Sequence, residues 1–65
     1  MIFDYVEAAR RAGILPEKLD HLCGQIRAEF PDDEMMAELH ILLCVLSIER
    51  GDTTVDEILS QKVPR

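Results

Sequence analysis

The sequence predicts an all-α protein, a small antiparallel bundle of three main helices followed by a short C-terminal helix. Three observations carry that prediction. Apolar side chains recur at spacings of three and four along each of four segments. Gly13, Pro16, Pro31 and Gly51 separate those segments, and they are residue types that start and stop helices. The connections between segments are only a few residues long, which makes consecutive helices antiparallel neighbours in a single domain over residues 1–65.

The first helix is expected over about 2–12, with Ile2, Tyr5, Val6 and Ala9 inward and Asp4, Glu7, Arg10 and Arg11 outward. Glu7 and Arg11 stand one turn apart, and Gly13 can adopt the left-handed conformation that ends a helix. Phe3 falls off the main stripe. The second helix is expected over 16–29. Pro16 suits its first position, and Ile14 and Leu19 are spaced as a hydrophobic staple across its start. Leu19, Leu22, Cys23, Ile26 and Phe30 form one apolar stripe, with Glu17, His21, Gly24, Gln25 and Ala28 opposite. Gly24 in a helix interior costs up to about 1 kcal/mol relative to Ala, and it is read as tolerated on a solvated face.

Pro31 disfavours helical geometry at Phe30, so the chain turns there. Asp32 is the expected N-cap of the third helix, at about 33–50, which ends at Gly51. A capping box of Thr54 and Glu57 starts the last helix at 55–61, with Val55, Ile58 and Leu59 inward.

The third helix is unlike the others because it is apolar on two sides. At 100° per residue, Met35, Leu39, Leu42 and Leu46 form one stripe, with Met36 and Leu43 beside it. Ala37, Ile41, Cys44 and Ile48, widened by Val45, form a second on roughly the opposite side. Narrow polar strips of His40 with Ser47, and of Glu38 with Glu49, lie between them. The other three helices each offer one apolar face, enough to cover one side of this helix. Leaving Ile41, Val45 and Ile48 wet would forgo roughly 1.5 to 3 kcal/mol for each, a large share of a total stability of about 5 to 15 kcal/mol. A homodimer through the third helix is therefore expected. Periodicity leaves open which stripe faces the second subunit. The smaller side chains of Ala37, Ile41, Cys44, Val45 and Ile48 permit close helix approach and make them the candidate dimer interface.

Net charge is −6, and its location is informative. Residues 28–49 carry six acids and no Lys or Arg, while the rest of the chain carries seven acids and seven bases. Such a surface repels nucleic acid, whose binding needs several basic side chains at phosphates. No helix here presents the basic and amide groups that a helix-turn-helix reader needs. Glu29, Asp32, Asp33, Glu34 and Glu38 are instead the candidate surface for a basic protein partner.

Other chemistry is poorly supported. Two Cys are too few for a disulfide scaffold, and both lie on apolar helical faces, as in a cytoplasmic protein with reduced thiols. The longest apolar run, 41–46, falls far short of the roughly 20 residues a membrane span needs, and no export signal opens the chain. His40 and Cys44 share a helix face, with Cys23 as a conceivable third ligand, but a structural zinc wants four. The acids at 32–34 lack the alternation around a fixed Gly that calcium loops use. Ser47 and His40 are almost two turns apart with no third catalytic member, and Arg50, Gly51 and Asp52 match an adhesion tripeptide by coincidence.

The expected function is that of a non-catalytic interaction module: a small acidic adaptor or regulator acting as a homodimer, without cofactor or metal. Two alternatives are a structural subunit of a hetero-oligomer and an acidic inhibitor that mimics nucleic acid charge.

Overall fold

A computed structural model describes residues 3–61, which form four α-helices and no strand: α1 Tyr5–Ala12, α2 Pro16–Glu29, α3 Glu34–Arg50 and α4 Val55–Gln61. Ile2, counted into the first helix by its spacing, lies outside the described residues. The helix begins at Tyr5 because Asp4 is its cap, with the Asp4 carboxylate accepting from the Glu7 N–H at 3.1 Å. Ala8 and Ala9 are buried and Tyr5 and Ala12 partly so. Val6 lies about 100° round the helix from Tyr5 and is half exposed, contrary to its expected inward position.

Gly13, at φ 76°, closes α1; the N–H groups of Gly13 and Ile14 return to the carbonyls of Arg10 and Ala9. Pro16 opens α2 at its first turn, and Ile14 and Leu19 on either side of that start are both buried. A tight turn follows, in which the Asp33 N–H donates to the Phe30 carbonyl at 3.2 Å. Asp33, rather than Asp32, caps α3, because its carboxylate reaches the Met36 N–H at 3.0 Å. Gly51, at φ 87°, ends α3 as Gly13 ends α1. The Thr54–Glu57 capping box forms in both directions at 3.1 Å and starts α4, which buries Ile58.

The central helix α3 packs against all three of the others. Phe3 meets Glu38, and Arg11 meets Glu49 at 3.3 Å, so α1 runs in the same direction as α3. Lys18 meets Asp56 at 2.6 Å and Arg27 donates to the Tyr5 hydroxyl at 3.0 Å, so α2 runs back between the two ends.

The candidate dimer interface is corrected by this packing. Ala37, Ile41 and Val45 are 1, 0 and 0% exposed, sealed beneath the chain's own helices, and Cys44 and Ile48 are partly buried against the same cluster. Ala37, Ile41 and Val45 lie in the seam of the bundle and are not available to a second subunit, while Cys44 and Ile48 border it and keep part of their surface exposed. The small side chains do admit a close neighbour, but that neighbour is the alanine face of α1, made of Ala8, Ala9 and Ala12.

Candidate functional site

With one stripe of α3 turned inward, the other is turned out. Met35 and Leu43 are 57 and 51% exposed and Met36 37%, with Leu39 partly exposed between them. Leu42 and Leu46 are partly buried along one edge of this face, where they lean on the core. Met36, Leu39, Leu43, Leu46 and Arg50 follow one another at steps of three and four, so they line up along the helix for about 21 Å at the standard rise. The guanidinium of Arg50 holds Asp52 at 3.0 Å and donates to the Ser47 hydroxyl at 3.3 Å, yet 63% of the side chain stays exposed.

The opposite end of the face is acidic. Glu29, Asp32, Asp33 and Glu34 are all exposed around the α2–α3 turn, although Asp33 is committed to the helix cap. Glu38 does not join them. It is 3% exposed and its carboxylate accepts from the Phe3 N–H at 3.3 Å. Its place on the strip between the two stripes, on the side where α1 packs, turns it toward the start of the chain and removes it from the expected partner surface.

The residues considered for chemistry are placed as follows. His40, Cys44 and Ser47 line an open hollow of about 450 Å3 between α3 and the start of α4, with Asp52, Thr53 and Glu57 on the far wall. The His40 ring lies against Phe30, with centroids 4.7 Å apart, and Ser47 is engaged by Arg50, so the two do not form a hydrogen-bonded couple. Cys23 lies on the Arg27 side of α2. Burial pushes its thiol above the usual cysteine range, despite the lowering effects of nearby Arg27 and of a contact with Tyr5. Such a thiol is poorly nucleophilic. Among the described residues, no group of three His, Cys, Asp or Glu side chains could hold a metal ion. Nor is any described helix long and apolar enough to cross a membrane. A second hollow of about 450 Å3, lined mainly by apolar side chains, lies at the α1–α2 corner between Val6, Ile14, Leu15 and Leu19.

No protein-family model, curated protein or solved structure matches this chain.

Met35, Met36, Leu39 and Leu43 are legible in the sequence as an apolar stripe, but their spacing does not say whether it faces inward or outward. The pair of adjacent methionines at the start of the outward stripe is consistent with its exposure, since flexible thioethers suit adaptable binding surfaces.

Proposed function

We propose that this chain is a non-catalytic protein–protein interaction module, a small acidic adaptor or regulator, and that its working surface is the outward face of α3. The observation that supports this reading is the exposure of Met35, Met36 and Leu43 along one side of the helix that also carries the core. Monomeric surfaces leave single apolar side chains wet without consequence, but an aligned row of large ones marks an interaction site. The acids at the α2–α3 turn lie at one end of that row. Charges so placed raise association rate and select partners more than they add affinity. With Glu38 inside, the remaining acids cluster at a turn and do not run along an extended face, which weakens the case for nucleic-acid mimicry.

A photo-crosslinking residue placed at Leu43, compared with one at exposed Asp20 on α2, tests the proposal in cells. Discrete adducts are expected from position 43, suppressed by excess unlabelled chain and lost when Met36→Glu is added on the same face. Equal labelling from both positions, or none from position 43, overturns it.

A further inference from the structure

We infer that α4 is a releasable strap: it lifts from the bundle while α1, α2 and α3 stay folded, and in lifting it widens the outward face of α3. The inference rests on that face being the docking surface, and it adds a means by which the face is regulated.

α1 and α4 are held to the bundle very differently. α1 buries Ala8 and Ala9, and it is tied in by three polar contacts, Phe3 to Glu38, Arg11 to Glu49 and Arg27 to Tyr5. α4 packs against α2 and α3 but buries one side chain, Ile58, with Val55 and Leu59 partly covered. Among the described residues, one polar contact joins α4 to another helix. It is the Lys18–Asp56 pair, whose side chains are 39 and 69% exposed, so water and salt weaken it. The packing of α4 on α3 is also incomplete, because the open hollow with His40, Ser47 and Glu57 in its walls lies between them. A helix of seven residues is too short to persist in water without a surface to lie on, so α4 loses its order when it leaves its seat.

The chain is already divided at the point where the strap would open. The N–H groups of Gly51 and Asp52 return to the carbonyls of Ile48 and Ser47, both at 3.0 Å, so the end of α3 is closed before α4 begins. The Thr54–Glu57 box is likewise internal to the start of α4. Opening at Thr53 therefore gives up the Lys18–Asp56 pair and the burial of Ile58, and no backbone hydrogen bond of α3. Its effect falls on the docking face, because Leu43 of the outward row shares the walls of the hollow with Cys44 and Ile58. Once Ile58 withdraws, accessible apolar surface runs round α3 from Leu43 to Cys44.

Amide hydrogen exchange of the full chain, followed residue by residue, tests the strap. The amides of Ile58, Leu59 and Ser60 are expected to exchange through an opening at least about tenfold more populated than the one that frees Ile41 and Val45. That opening should depend little on denaturant, since it exposes little surface. Ile58→Ala should populate it about tenfold or more further, with exchange at Ile41 and Val45 unchanged. Lys18→Ala, a surface change that leaves the core intact, should raise it by up to about fivefold and keeps the test decisive if Ile58→Ala disturbs folding. In a Cys23→Ala background, Ile58→Ala should also speed alkylation of Cys44, and adducts from the probe at position 43 should increase. Exchange of the α4 and α3 amides in step at every denaturant concentration overturns the inference. So does a Cys44 that reacts no faster after Ile58→Ala. If exchange and alkylation behave as expected while the probe at position 43 labels nothing, the strap stands and the docking face does not.

Discussion

The backbone N–H of Phe3 donates to Oε1 of Glu38 at 3.3 Å, so a carboxylate only 3% exposed on the central helix ties down the segment that precedes α1. A buried donor that loses its acceptor costs about 1 to 3 kcal/mol. Glu38→Ala should therefore lower stability by about that amount, while Glu38→Gln, which keeps an acceptor of the same reach, should cost less. Thermal unfolding separates the two, since about 1 kcal/mol corresponds to roughly 4 to 8 °C in a domain of this size. Equal melting temperatures for all three chains would mean that Glu38 does not hold the segment in place.

The two stripes of α3 should respond differently to truncation. Ile41 is fully buried, so Ile41→Ala should cost about 2 to 5 kcal/mol, the range for large-to-small changes in a core. Leu43 keeps 51% of its surface exposed, so Leu43→Ala should cost less than about 1.5 kcal/mol in the isolated chain. Urea midpoints measured at low protein concentration, where association does not contribute, give the comparison. A costlier Leu43→Ala would reverse the assignment of inward and outward faces.

Alanine scanning of the glycines gives opposite signs. Gly24 sits in the interior of α2 on an exposed face, and a Cβ there would meet nothing within 4 Å. Gly24→Ala should stabilise the chain by up to about 1 kcal/mol through helix propensity alone. Gly51 has equally open surroundings but a φ of 87°, and Gly51→Ala should destabilise by about 1 to 2 kcal/mol. Denaturant titration of the two variants measures both. A stabilising Gly51→Ala would contradict the left-handed end of α3.

Burial raises the thiol of Cys23 above its ordinary range, which has a consequence for both reactivity and pH. In a Cys44→Ala background, Cys23 should react with a thiol reagent more slowly than free cysteine near pH 8, because less of it is thiolate. For stability, the folded chain keeps the proton where the unfolded chain has lost it. That contribution is complete below the unfolded thiol pKa and is lost as pH rises through the folded one. Cys23→Ser should therefore flatten the alkaline side of the stability profile. A thiol that reacts as fast as free cysteine would show that Cys23 is not shielded.

Most helix ends were legible because each depends on chemistry within a few residues. Gly13 and Gly51 turn where only glycine is unstrained, and Thr54 and Glu57 find one another inside a single turn. The start of α1 was not, because Asp4 suits the outward face of a longer helix as well as it suits the cap that it forms. The Asp32 and Asp33 assignments differ by one position because either carboxylate could serve, and only the geometry of the Phe30–Asp33 turn selects the second.

The sequence by itself determined that there would be four helices, where they would end, and that the third would have two apolar sides. Tertiary structure decided which of those sides is the inside. Hydrophobicity has no direction, so periodicity gives Ala37, Ile41 and Val45 the same claim to the core as Met36, Leu39 and Leu43. The choice falls to shape. The alanines of α1 nest against the stripe with small side chains, and Glu38 and Glu49 then meet Phe3 and Arg11 along the same edge. The bulkier methionine and leucine row is left facing solvent.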